Sequence, residues 1–183
     1  MKKVAVFFAP GFEEVEALTT VNILRRAEIE VIMVSITDEL IVKGAREISV
    51  LTEKLITELD FNSIDMIVLP GGYPGFINLE ANEMLMEQVD LFHAQKKPIA
   101  AICGAPGVLG RRGILKGSMA CAFPGLEDSL LGATIVYEPA VWDGHLITGR
   151  AMGCSVDFAL AILASIKGFA AADEMAKTIV YKQ

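Results

Sequence analysis

The ten residues Pro98 to Gly107, Pro-Ile-Ala-Ala-Ile-Cys-Gly-Ala-Pro-Gly, constrain the fold of this 183-residue chain more than any other stretch. Ile99 to Ile102 form a short apolar run with no polar position, the pattern of a strand buried on both faces of a parallel sheet. The chain then reaches Cys103, flanked by Ala101, Gly104, Ala105 and Gly107. Small residues on both sides of a reactive atom are what a sharp strand-to-helix turn requires, because a bulky side chain would strike the crossing backbone. Val108, Leu109 and Ile114 supply an apolar face and predict a helix starting at Gly104. Its N-terminal amides would point at the sulfur and favour the thiolate. On this stretch alone two readings of Cys103 stay open: the nucleophile of an elbow, or an inert cysteine at the end of a core strand.

Other short apolar runs alternate with helical periodicity. Residues 3–8, 30–36 and 65–69 read as strands, and residues 40–51 as two short extended pieces around Gly44. After the first strand, Glu13 and Glu14 open a helix in which Val15, Leu18, Val21 and Leu24 recur at helical spacing, with Ala17 and Ile23 beside them. Residues 55–59 read as a helical turn. Residues 81–95 form a second helix with Met84, Leu85, Val89, Leu91 and Phe92 on its apolar side. Beyond the elbow, residues 118–122, 134–137 and 140–142 read as extended, and Asp143-Gly144 is a hairpin signal leading into residues 145–148. Ser155 is placed as the cap of an apolar helix through Ile166, and residues 170–179 close the chain. Strands alternating with helices predict a single domain over residues 1–183, an α/β flavodoxin-like doubly wound mostly parallel sheet with helices on both faces.

Composition sets the remaining bounds. Hydrophobic residues make up 53% of the chain, yet no apolar run reaches the roughly 18 residues a membrane span needs, so no membrane partner is expected. Lys2-Lys3 and the short apolar stretch after it run into Pro10-Gly11 and the acids Glu13 and Glu14, which reads as a first strand rather than a leader. A net charge of −7, with basic residues in scattered pairs, argues against nucleic acid. Three cysteines offer no disulfide framework and suit a reducing cytoplasm. With no phosphate-binding glycine loop, zinc cysteine pair or Gly-x-Ser-x-Gly, no cofactor and no metal are expected.

In a doubly wound sheet, ligands bind beyond the carboxyl ends of the strands where strand order reverses. If strands one, three and four are neighbours, three loops meet there, carrying Glu13 to Glu16, Gly71-Gly72 and Cys103. Glu16 shares a helical stripe with Thr20, Ile23 and Ala27 that turns inward, whereas Glu13 and Glu14 fit ordinary helix-start acids. A buried Glu16 would stay protonated and donate a hydrogen bond to the sulfur. The amides of Gly72 and Gly104 would form an oxyanion hole. His93 is read as exposed on its helix, and His145 as a surface residue at a strand start. Cys121 and Cys154 are read as structural.

Four motifs in order carry a family resemblance: Gly-Phe-Glu-Glu-Val-Glu-Ala at 11–17, Leu-Pro-Gly-Gly at 69–72, Ala-Ala-Ile-Cys-Gly-Ala-Pro at 100–106 and Asp-Gly-His-Leu-Ile-Thr-Gly-Arg at 143–150. The chain resembles the ThiJ/PfpI superfamily, in the branch that holds the Parkinson-disease protein and bacterial protein deglycases. The resemblance implies a flavodoxin-like homodimer in which Cys103 is the oxidisable nucleophile, Glu16 the acid bonded to it, and Gly72 and Gly104 the backbone donors. Arg26 and Arg46 match arginines near the family's dimer-side pocket. Two positions depart from the pattern. Gly104 stands where the peptidase-like branch has a histidine, which disfavours a protease, and Phe123-Pro124 replaces a His-Pro of the deglycase-like branch. The implied activity is a cofactor-free glyoxalase or protein deglycase, a hydrolase or lyase acting on methylglyoxal or on glycated side chains. The alternative is a non-catalytic oxidative-stress sensor or chaperone-like protein whose Cys103 is oxidised to sulfinate.

Overall fold

The unbroken apolar run along the first strand explains why the sheet is covered on both sides. In a computed structural model that describes residues 2–182, β1 (Lys3–Phe8) sends Val4, Val6 and Phe8 into one apolar cluster and Ala5 and Phe7 into the other. Successive side chains of a strand point to opposite faces, so a run with no polar position needs a helical layer on each side. The cluster holding Val4, Val6 and Phe8 packs under α1 (Glu14–Arg26), α5 (Ser155–Lys167) and α6 (Phe169–Thr178). The other lies under α2 (Gly75–Ala81), α3 (Glu83–Ala94) and α4 (Pro106–Arg111).

The remaining strands are β2 (Glu30–Ser35), β3 (Ile41–Lys43), β4 (Ser49–Leu51), β5 (Lys54–Leu55), β6 (Met66–Leu69), β7 (Ile99–Ile102), β8 (Met119–Ala120), β9 (Thr134–Ile135), β10 (Ala140–Asp143) and β11 (Leu146–Gly149). The main sheet runs β10-β11-β7-β6-β1-β2-β5. All its pairings are parallel except the β10–β11 hairpin, so the fold is flavodoxin-like and doubly wound. Order reverses beside β1: the chain first moves outward to β2 and then returns to β6 on the other side. The loops after β1, β6 and β7 therefore open at the same sheet edge. Strands β3 and β4 pair as a separate antiparallel hairpin. Among the described residues, no helix is long and apolar enough to cross a membrane.

Several local expectations need correction. The helix expected over residues 81–95 begins at Glu83 as α3, and a separate helix that was not expected, α2, precedes it. Asn82 separates them, its Oδ1 accepting the Leu85 N–H at 2.9 Å as the cap of α3. Leu85, Met86, Val89 and Phe92 are buried on α3, whereas Met84 and Leu91 face outward. On α1 the buried stripe is Glu16, Ala17, Thr20, Val21, Ile23 and Leu24, with Val15 and Leu18 exposed, because the face is set by the sheet and α5 beneath it rather than by the apolar count. Ser155 does not cap α5. It is the first helical residue, and its hydroxyl donates to the Met152 carbonyl at 2.6 Å.

Candidate active site

Cys103 sits directly beyond the carboxyl end of β7 with φ of +67°, a left-handed conformation that non-glycine residues adopt at a cost. Its N–H donates to the Gly149 carbonyl on β11 at 3.0 Å, and its carbonyl accepts the Phe123 N–H at 2.9 Å, so strands on one side and a loop on the other hold the turn. This is the sharp bend expected from the small residues around it. The helix that follows begins at Pro106, two residues later than expected, and runs for 6 residues. Residues Cys103 to Ala105 are spent on the turn itself, so helix amides do not supply the sulfur's electrostatics.

Glu16 approaches from α1. It lies in the first turn and is 1% exposed, on the face pressed against the sheet. Its Oε2 accepts the Gly71 N–H at 2.8 Å. Its Oε1 is buried, has no partner of good hydrogen-bond geometry, and belongs to a carboxyl within bonding reach of the Cys103 thiol. Gly71 has to be glycine here, since a Cβ would stand 2.5 Å from the Cys103 Cβ and 2.7 Å from Glu16 Oε2. Gly72 has φ of +90°, a conformation that favours glycine, and its N–H faces the sulfur. The Gly104 N–H reaches the sulfur as well. The four residues singled out in the sequence thus come together.

Burial pushes the Glu16 carboxyl up to about 7, against the lowering effect of its bonds to Cys103 and Gly71 and with the charge of Glu13 adding to the rise. Burial also pushes the Cys103 thiol up to about 12, the Glu16 charge adding to it while the Gly72 and Gly104 N–H groups pull it back. The expectation that the protein around the sulfur favours thiolate outright is therefore corrected. With Glu16 ionised, a second negative charge on sulfur is penalised. A proton on Glu16 removes that repulsion and converts the carboxyl into a donor, so thiol and acid share one proton as a pair.

A cavity of about 460 Å³ opens over the sulfur. Tyr73, Phe76, Phe123 and Leu126 wall it, and Glu13 and Arg46 stand at its rim. The sequence carried a weak signal for this wall: Tyr73 and Phe76 directly follow the Gly-Gly turn. Arg46 is delivered by Glu14, which is not an ordinary helix-start acid. Glu14 is 4% exposed, and its Oε1 accepts the Arg46 N–H at 2.7 Å between β3 and β4. Arg26 lies elsewhere, in a groove of about 520 Å³ with Leu18, Val21, Asn22, Arg25 and Met33 that holds no thiol.

His93 and His145 are not two isolated surface residues. They pair, Nδ1 to Nε2 at 3.0 Å, and burial lowers the pKa of both. The pair joins α3 to the start of β11, at the sheet edge opposite Cys103. Cys121 is buried, its N–H donating to Thr148 Oγ1 at 3.0 Å, which fits a structural role. Among the described residues, no group of three or more His, Cys, Asp or Glu side chains is placed to hold a metal ion.

A family model described as the DJ-1/PfpI family matches residues 2–165. The chain belongs to the DJ-1/PfpI family. Protein DJ-1 homolog B of Arabidopsis thaliana is 35% identical over 167 residues, which is 91% of this chain. The chain spans 38% of the length of that protein and 43% of the related homolog A. A Pyrococcus abyssi protein named as a deglycase is 29% identical over 154 residues, 82% of this chain and 91% of that one. The crystal structure of a mutant DJ-1 superfamily protein from Salmonella typhimurium superposes with a TM-score of 0.93 at 37% identity, covering 100% of both chains. Cys103, Glu16 and the aromatic wall of the cavity all lie within the residues that the DJ-1/PfpI family model matches.

Proposed function

We propose that this protein is a cofactor-free, cysteine-dependent glyoxalase or deglycase acting on methylglyoxal or on early glycation adducts of side chains. The observation that carries the reading is the convergence of the Glu16 carboxyl and the Gly72 and Gly104 N–H groups on the left-handed Cys103. The name of the Pyrococcus abyssi relative supports the same class. The sulfur adds to the aldehyde carbon while Glu16 gives its proton to the developing oxyanion, forming a hemithioacetal beside the two N–H donors. Glu16, now a carboxylate, takes the hydrogen of that carbon as a proton and returns it to the neighbouring carbonyl carbon, while the hydroxyl proton of the hemithioacetal passes to the oxygen of that carbonyl. The first carbon is thereby oxidised to a thioester and the second reduced to an alcohol, with no outside oxidant. Water then adds to the thioester carbon, the C–S bond breaks, and lactate leaves with the thiol restored.

The missing imidazole supports a second reading. Among the described residues no histidine lines the cavity, and Phe123 occupies its wall. A sensor would need only the thiol and its donors: two equivalents of hydrogen peroxide convert Cys103 to sulfinate and yield two of water. In either case the protein is taken as a homodimer.

Incubation with methylglyoxal in the absence of glutathione, followed by proton NMR, separates the readings. Continuous lactate formation that disappears in Cys103→Ser is expected. Glu16→Gln should lower turnover by roughly 100-fold or more, the usual contribution of a positioned acid-base group, while Cys103 still alkylates. Stoichiometric aldehyde loss without lactate would leave the sensor reading in place, and lactate formation surviving Cys103→Ser would sink the enzyme mechanism.

A further inference from the structure

The side chains around the sulfur are unusual for a site that would accept a three-carbon aldehyde. Phe123 is 45% exposed and Tyr73 74% exposed, yet both face one concavity with Cys103 in its floor. Exposed aromatic side chains gathered around a hollow mark a ligand surface, since scattered single residues would need no explanation. The wall is held in place by the backbone. The Phe123 N–H donates to the carbonyl of Cys103 itself at 2.9 Å, and the Phe76 N–H donates to the Gly72 carbonyl at 3.0 Å. The Phe76 ring lies on Gly104, where a Cβ would come within 2.6 Å of two ring carbons. Tyr73 and Phe76 are tilted against each other with centroids 6.4 Å apart. Phe76 and Phe123 are therefore tied to the carbonyls of Gly72 and Cys103, Phe76 covers Gly104, and the wall presents ring surface beside the sulfur.

Size and charge point the same way. The cavity of about 460 Å³ falls within the roughly 300–1,000 Å³ typical of pockets for drug-sized ligands and leaves methylglyoxal most of it unfilled. At the rim, Glu13 and Arg46 bring one charge of each sign, so the opening selects neither a strongly anionic nor a strongly cationic group. A neutral, flat, apolar substituent next to the reacting carbonyl fits both the wall and the rim.

We propose that the Cys103 pocket takes 2-oxoaldehydes carrying an aryl or similarly broad apolar substituent in preference to methylglyoxal. The proposal rests on the proposed function for its chemistry, and the bonds made and broken are those given above. Phenylglyoxal plus water yields mandelate, the aldehyde carbon oxidised and the ketone carbon reduced.

The test has a turnover arm and a binding arm. In the first, kcat/KM for phenylglyoxal and methylglyoxal is measured by product formation in wild type, Phe123→Ala and Tyr73→Ala. The wild-type ratio should be about tenfold or more in favour of phenylglyoxal, the low end of what added apolar groups command in a fitted pocket, and should fall at least fivefold in Phe123→Ala. Comparing the ratio across variants cancels the intrinsic difference between the two aldehydes. In the second arm, Cys103 is alkylated by iodoacetanilide and by iodoacetamide, each rate normalised to free cysteine and the site assigned by mass spectrometry. A normalised preference of about tenfold for the anilide that collapses in Phe123→Ala is expected on the same grounds. If neither aldehyde turns over, the proposed function fails and the alkylation arm alone decides the pocket. A preference that is absent in wild type, or unchanged in both variants, overturns the proposal. Both substituted positions are exposed, so the variants keep the core intact.

Discussion

Glu16 is a carboxylic acid that the fold places where ionisation is costly, and that cost is measurable. In the unfolded chain the group titrates at its ordinary 4.5, and in the folded protein burial raises it to about 7. The folded state then holds the proton more tightly, so its contribution is fully present below about pH 4.5 and is lost as pH rises to about 7. The loss amounts to about 3 kcal/mol at roughly 1.4 kcal/mol per pKa unit. Glu16→Gln keeps an acceptor for the Gly71 N–H and a donor for the sulfur but does not titrate. Urea denaturation at pH 4.5 and 7.5 should show wild type losing stability relative to Glu16→Gln by that amount; a difference independent of pH would mean that Glu16 ionises as a solvated acid does. The inward turn of Glu16 was legible from its helical stripe. The role of Glu14 was not, because adjacent acids at a helix start look alike until the hairpin that buries one of them is in place.

At the scale of elements, the β3–β4 hairpin is tied to α1 through that second acid. Glu14 Oε1 accepts the Arg46 N–H at 2.7 Å, and the Ile48 N–H at 3.4 Å lies at the edge of bonding distance. The hairpin pairs with no strand of the main sheet. Besides Glu14 it is held by the Gly11 N–H donating to the Lys43 carbonyl and the Ala45 N–H donating to the Phe12 carbonyl, both at 2.8 Å, so losing Glu14 loosens its tip without releasing it. In Glu14→Ala, hydrogen exchange at the Arg46 and Ile48 amides should speed up by about ten- to a hundredfold, the loss of one charge-assisted bond, while amides of β1 and β6 keep their protection. Uniform acceleration across the sheet would instead mean that Glu14 supports the whole fold. The hairpin itself was readable from two extended pieces around Gly44. That Arg46 stands at the cavity rim and Arg26 in a separate groove was not, since nothing in sequence spacing fixes the side of α1 on which the hairpin folds.

For the whole molecule, the proposed homodimer has a visible candidate face. Val15 and Leu18, apolar by sequence and 44% and 36% exposed, lie on the outer side of α1. Size-exclusion chromatography with light scattering should give twice the mass of one chain, and Leu18→Asp should shift it toward a single chain without altering the far-ultraviolet spectrum. A wild-type mass of one chain would remove the dimer from the reading.

The sequence by itself determined the α/β class, the elbow at Cys103 and the identity of its partners. Short two-faced apolar runs are the pattern of a covered parallel sheet, and small residues around a strand-end cysteine suit a sharp turn, a reading chosen over an inert core cysteine once the loops carrying Glu16 and Gly71-Gly72 fall at the same sheet edge. Tertiary structure decided the electrostatics and the walls. Whether a thiol sees a helix end or a buried carboxyl depends on where α4 begins, and that is settled by the backbone bonds closing the turn. The pairing of His93 with His145 and the approach of Phe123 to Tyr73 and Phe76 follow from contacts between segments far apart in the chain. Such contacts leave no period or spacing to read, because they are made only when β6, β7 and β11 lie side by side.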